Sequence, residues 1–247
     1  ANQRTALFVI RSLGRAGYHV VAGEQESRRL PIGFTSKYCR EKIKLKSNDA
    51  ETLKDAASSC DAIFPVATNT IYTVLENPDT FNRFATLLPD PHTFHTANHK
   101  AKILKTAAEQ GIGIPNTYPI NSLADLENQM DSIRFPVIVK LKNDYALYLS
   151  PKERYAVARD KDTLLSEYKR LEAIKEEPII QDYILGQGFG ASFVIGKDGK
   201  TYARFGHKRL REYPVTGGPS SLLQSCDDAT LLDAGERLLN ALGWVGV

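Results

Sequence analysis

The chain has 247 residues, of which 42% are hydrophobic and 25% charged, enough for a large core in one big domain or two to three smaller ones. The net charge of +3 is too small to point to nucleic acid or an anionic membrane surface as a partner. No run of about 18 apolar residues exists to cross a bilayer.

The first predicted element is a helix in which Ala6, Leu7, Ile10, Leu13 and Ala16 fall near one face and Gly17 follows as a stop. Residues 18–23 then read as a strand and residues 42–45 as a short one. Residues 50–59 read as a helix, and residues 62–66 as a second, buried strand. Strands alternating with helices suggest a parallel α/β sheet. Such a unit normally opens with a strand, and this one opens with a helix. Pro89, Asp90, Pro91 and His92 punctuate the chain.

A helix is predicted from about Ala97 to Gln110, another over residues 123–133. The run Val137-Ile138-Val139 is uninterrupted and apolar, so it reads as a buried strand ending in Lys140. Residues 162–174 form an amphipathic helix with Leu164, Leu165, Tyr168 and Leu171 inside. Residues 178–184 are the next strand. A corner with Gly186, Gly188 and Gly190 leads to a hairpin with strands 191–195 and 201–205. Its turn is Lys197-Asp198-Gly199-Lys200, since Asp-Gly supplies positive φ angles. Residues 243–247 read as the start of a strand, and the natural protein is expected to extend past both ends of the chain.

Cys39, Cys60 and Cys226 are odd in number, far apart and form no C-x-x-C pair. That suggests neither a disulfide framework nor a zinc site, and reduced thiols in a cytoplasmic protein are the plain reading. The apolar stretch 6–10 is short and interrupted by Arg11, so no signal peptide is read.

Four features could carry chemistry. Lys140 ends a buried strand, where desolvating a lysine is costly unless it meets an anion; a point cation on a flexible stem suits a phosphate. The alternative is a lysine snorkelling out at a sheet edge. Lys100 stands in the first turn of a helix, where cations oppose the dipole and another partner would favour it; plain solvent exposure is the alternative. Strand 179–184 could offer backbone groups to a planar base, with Gln181 adding an amide that both donates and accepts. Last, His207, Lys208, Arg209 and Arg211 precede Gly217-Gly218-Pro219-Ser220-Ser221, where arginine forks and glycine amides could hold carboxylate or phosphate. A solvated basic loop is the alternative there.

Other motifs fail. There is no P-loop, no H-E-x-x-H and no metal spacing among the five histidines. Gly186-x-Gly188-x-Gly190 follows a strand but precedes another, so it is not a dinucleotide fingerprint. A dinucleotide-dependent oxidoreductase is therefore poorly supported.

The order of these features carries a resemblance. A lysine-led helix, Gly111-Ile112-Gly113-Ile114-Pro115-Asn116-Thr117, Phe135-Pro136-Val137-Ile138-Val139-Lys140 and Ile180-Gln181-Asp182-Tyr183-Ile184 together resemble the ATP-grasp superfamily. Arg209-Leu210-Arg211-Glu212-Tyr213-Pro214, Gly217-Gly218-Pro219-Ser220 and Leu242-Gly243-Trp244-Val245-Gly246-Val247 look like its carbamoyl-phosphate-synthase large-subunit-like branch.

The resemblance covers nearly the whole chain. It implies an α/β fold: a Rossmann-like pre-ATP-grasp domain over residues 1–93, its first strand absent, then an incomplete ATP-grasp domain of two α+β lobes over residues 94–247. It also implies ATP and Mg²⁺ as cofactors. Lys100 and Lys140 would hold the phosphates from two sides. Gln181 and the backbone of Asp182, Tyr183 and Ile184 would contact adenine, and Arg209 and Arg211 would sit near the γ-phosphate or the acyl substrate. The implied reaction is a carboxylate–amine ligation. A small-molecule carboxylate attacks the γ-phosphate, an acyl phosphate forms, and an amine or similar nucleophile displaces phosphate. A homodimer is compatible with it; nucleic acid and membrane are not expected partners.

Three departures stand out. The family's glycine-rich loop after the second lysine has no counterpart in residues 141–155, which contain no glycine. The usual acidic ribose ligand after the hinge is missing from residues 186–192. The family's Mg²⁺ ligands, an acidic residue and a Glu-x-Asn, are expected beyond Val247. The chain by itself is therefore expected to bind nucleotide weakly and to have little activity; a non-catalytic ATP-grasp relic is the alternative reading.

Overall fold

Helix α1 (Arg4–Arg15) buries Ala6 and Ile10, as its apolar spacing requires. Gly17 follows at φ +91°, a left-handed angle that a side chain would resist. Strand β1 (Val21–Gln25) pairs in parallel with β2 (Glu41–Leu45). It starts later than the sequence suggests, because Tyr18 and His19 are exposed and pairing begins at Val21↔Glu41. A 3₁₀ turn, Ile32–Thr35, lies between them. Helix α2 (Ala50–Ala56) is capped by Asp49, whose side chain accepts from the Thr52 amide at 2.9 Å. Helices α3 (Thr68–Glu76) and α4 (Pro78–Phe81) complete this part.

The buried strand predicted at residues 62–66 does not form. Ala62 makes one parallel bridge to Ala85, and Phe64 is 52% exposed. Pro65 has no amide to donate, so a ladder cannot run through it.

This computed structural model describes residues 3–25, 30–142, 149, 151–174, 178–213, 218 and 220–247. It divides into two compact units, Ala1–Pro91 and His92–Val247. The first unit has cores around Ile10, Val20 and Phe34 and around Val74, Phe81 and Phe84.

The second unit begins within a short helix the sequence reading missed, α5 (Pro91–Ala97), followed by α6 (Lys100–Glu109). Its first sheet is antiparallel, in the order β3-β6-β4-β5. The strands are β3 (Thr117–Tyr118), β4 (Val137–Lys140), β5 (Tyr155–Ala158) and β6 (Ile179–Asp182). Helix α7 (Leu123–Gln129) runs into a 3₁₀ turn, Met130–Ser132. The short α8 (Pro151–Arg154) precedes β5, and α9 (Lys161–Ile174) follows it. The core joins Leu126, Val137, Val139, Leu164, Tyr168 and Ile180, all fully buried. Side chains alternate across a strand, so Val137 and Val139 face this core while Ile138 and Lys140 face the other way.

The second sheet is the antiparallel run β7 (Phe189–Ile195), β8 (Thr201–Glu212) and β9 (Ser220–Cys226). The predicted hairpin is present, and β8 is longer than predicted. Within its turn Gly199 has a positive φ, +74°, and the loop closes through Gly196 N–H to the Lys200 carbonyl at 2.9 Å. Helix α10 (Ala229–Leu242) covers one face, with Leu232 against Phe193 and Ile195. Gly235 permits the approach: a Cβ there would lie 2.6 Å from the Phe193 ring. In place of a strand at 243–247 there is one antiparallel bridge, Ile195↔Gly246.

Candidate functional site

Lys140 closes β4 opposite Ile179 on β6 and Tyr155 on β5. It lies on the sheet face away from α7 and α9, and Gln181, opposite Ile138, shares that face. Lys140 makes no ion pair with any described residue. Burial pushes its pKa down, and the charge of Lys100 pushes it further. The two lysines that the sequence placed 40 residues apart are thus electrostatic neighbours. The cause is a backbone tie: the Lys100 amide donates to the Lys142 carbonyl at 3.2 Å, which pins the start of α6 beside the end of β4. His99 caps the same helix, its Nδ1 accepting from the Lys102 amide at 3.4 Å. Two like charges held together in a half-buried place attract an anion.

Gln181 is 1% exposed. Its Nε2 donates to Thr117 Oγ1 at 2.7 Å, and that hydroxyl donates to the Pro115 carbonyl at 3.2 Å. The amide is therefore oriented, and its Oε1 has no partner among the described residues. Thr117 was part of the quoted motif but received no role from sequence; its role depends on β3 lying beside β6.

The next residues divide differently from the sequence reading. The Asp182 amide donates to the Asn116 carbonyl at 3.0 Å and the Tyr183 amide to the Pro136 carbonyl at 3.1 Å. The Asp182 carboxylate turns to the core face and accepts from Tyr118 Oη at 2.9 Å. Only the Ile184 amide is left without a hydrogen-bond partner among the described residues. Ile184 is also 67% exposed.

Arg209 and Arg211 lie on β8 rather than in a loop. Arg209 Nη1 approaches Glu212 Oε1 at 3.4 Å, while its Nε is buried without a partner among the described residues. The β8–β9 register shifts between Arg209 and Arg211, so the alternation of faces is not carried from one to the other. Thr216, Gly217 and Pro219, which the basic segment leads into, lie outside the described residues, as do residues 143–148 and 150 in the stretch where a phosphate-covering loop was sought.

No protein-family model matches the sequence, and neither does any curated protein sequence. Solved structures do match in shape. The biotin carboxylase of Campylobacter jejuni, in its ATP-analogue complex, superposes with a TM-score of 0.70 at 16% identity, over 97% of this chain and 57% of that one. The N5-carboxyaminoimidazole synthetase of Staphylococcus aureus, complexed with ADP, gives 0.70 at 13%, over 98% and 61%. The carboxyaminoimidazole ribonucleotide synthase of Aspergillus clavatus, complexed with ATP, gives 0.69 at 13%, over 100% and 62%. All three are ATP-grasp enzymes.

The chain has the ATP-grasp fold. At these identities the likeness establishes the fold alone, and the chain spans 57–62% of the length of the three structures. In ATP-grasp terms the two sheets of the second unit, with α7 to α9 and with α10, are the two α+β lobes. Lys140 and Gln181 stand on the first, Arg209 on the second. These three structures are carboxylating or carboxyaminoimidazole enzymes, and none of the three is a carbamoyl-phosphate synthase.

Proposed function

We propose that the chain binds ATP through Lys100, Lys140, Gln181 and Ile184 and belongs to a carboxylate–amine ligase. The observation that carries the reading is Lys140: a half-buried cation with no ion pair among the described residues, opposed by the charge of Lys100. A nucleotide's phosphates would neutralise both lysines. The partnerless Gln181 Oε1 and Ile184 amide supply an acceptor and a donor, the pair that an exocyclic amine and a ring nitrogen of adenine need. The bound ADP and ATP of the S. aureus and A. clavatus enzymes support the same assignment. Arg209 would lower the energy of charge developing on a transferring phosphoryl group, so that a carboxylate becomes an acyl phosphate open to an amine. Mg²⁺ would accompany the phosphates. Among the described residues no group of three or more His, Cys, Asp or Glu side chains could hold it.

The thermal midpoint with and without Mg-ATP tests this reading. A ligand at about 100 times its dissociation constant adds roughly 2.7 kcal/mol, a rise of several degrees. The shift is expected in the wild type and lost in Lys140→Ala. A folded chain that shows no shift at millimolar ATP would count against the assignment.

A further inference from the structure

Two motifs remain unexplained by nucleotide binding: the glycine triplet 186/188/190 and the histidine that heads the basic segment. The register joins them. Gly190 on β7 lies opposite His207 on β8, and His207 lies opposite Ser225 on β9. Phe193, Ile195 and Arg204 mark the face turned to α10, through contacts with Leu232 and Glu236. His207 alternates to the other face, as do Phe205, two residues before it, and Arg209, two residues after it. Phe205 stacks on the imidazole with centroids 5.9 Å apart and planes at 22°.

The imidazole and the guanidinium both lie over glycine. A Cβ at Gly190 would sit 2.4 Å from His207 Cε1, and one at Gly188 would sit 3.0 Å from Arg209 Cδ. Any other residue would displace these side chains. His207 Nδ1 and Arg209 Nε are both buried with no hydrogen-bond partner among the described residues. Two orphan nitrogens on side chains of one sheet face cost stability unless a further group engages them. What faces the imidazole is Gly190 from β7, Ser225 from β9, and Phe205 and Arg209 on its own strand. Glu212 reaches Arg209, at 3.4 Å, and no described carboxylate bonds the imidazole.

We propose that this open face of β7–β8–β9 is an oxyanion subsite in which His207 and Arg209 bind together, the glycine track existing to let both lie on the strand. This rests on the ligase reading only for the identity of the anion, which is the terminal phosphate of a nucleotide or the carboxylate of the acyl substrate. Oxyanion chemistry common to both fits an imidazolium beside a guanidinium.

The test is an NMR titration of the His207 Cε1–Hε1 signal from pH 5 to 8. His19, His92, His95 and His99 serve as internal references. The buffers are matched in ionic strength and contain chloride, inorganic phosphate or acetate. An anion on the imidazolium raises the His207 midpoint by about half a unit, a roughly threefold gain in affinity for the protonated form. The rise is expected to be smaller in Arg209→Gln, and lost in Gly190→Ala, which moves the ring without changing a charge. A response to phosphate alone assigns the site to nucleotide, and a response to acetate as well assigns it to the carboxylate. A His207 midpoint unmoved by either anion, in a folded wild-type chain, overturns the proposal. Its failure is separable from that of the ATP reading, because the Mg-ATP thermal shift depends on Lys140 and is scored on the same sample.

Discussion

Lys140 is held below the ordinary lysine value of 10.5, first by burial and then by Lys100. Its native pKa is lower than its unfolded one, so between the two values the native state binds fewer protons. Stability therefore rises with pH across that window, and the penalty is largest below it. Lys140→Met is expected to stabilise the chain by about 1 kcal/mol at pH 7, because it removes a half-buried charge that has no counter-ion among the described residues. The gain should fade as pH approaches 10.5, which urea unfolding at pH 7, 9 and 10.5 would show. The same variant should lose the nucleotide-dependent shift, so one side chain trades stability for binding. At this scale the sequence singled out Lys140 as a candidate, since lysine at the end of an apolar run is unusual, and Lys100 and Gln181 as weaker ones. It did not reveal which polar atoms were already taken. That the Asp182 and Tyr183 amides serve Asn116 and Pro136, or that His207 rests on Gly190, depends on register between strands distant in sequence.

Elements were legible where periodicity was long. Helix α9, read from Leu164, Leu165, Tyr168 and Leu171, buries all but Leu165 fully and Leu165 in part. Strand β4 was legible from three apolar residues because both flanks were polar or turn-forming. The run at residues 62–66 looked similar, but Pro65 and the exposure of Phe64 leave it without a ladder. Helix α10 was not predicted at all, and its packing turns on Gly235, a residue that lowers helix propensity. Gly235→Ala would gain about 1 kcal/mol of helix propensity, yet its Cβ would meet the buried Phe193 ring at 2.6 and 2.8 Å. Overpacking of this kind costs roughly 1–3 kcal/mol. Net destabilisation of about 1 kcal/mol is expected, read as a lower urea midpoint with unchanged slope. A rise in the midpoint would mean that the sheet yields more easily than its burial implies.

The whole chain separates into units with their own cores: Ile10 and Phe81 belong to clusters of the first, Leu126 and Phe193 to clusters of the second. Every residue assigned to nucleotide, Lys100, Lys140, Gln181 and Ile184, lies in the second. Within that unit α6 is fixed at both ends, by the Lys100–Lys142 tie and by Arg237 Nη1 donating to the Gln110 carbonyl. The lysine pair therefore depends on contacts that residues 92–247 supply by themselves. A fragment of those residues is expected to fold cooperatively and to keep the Mg-ATP shift within a degree or so of the full chain, since ligand linkage depends only on affinity for the folded state. Differential scanning fluorimetry of fragment and full chain at equal ATP would decide it. A folded fragment without the shift would move part of the nucleotide site into residues 1–91, and with it the assignment of Lys100 and Lys140 as the main phosphate contacts.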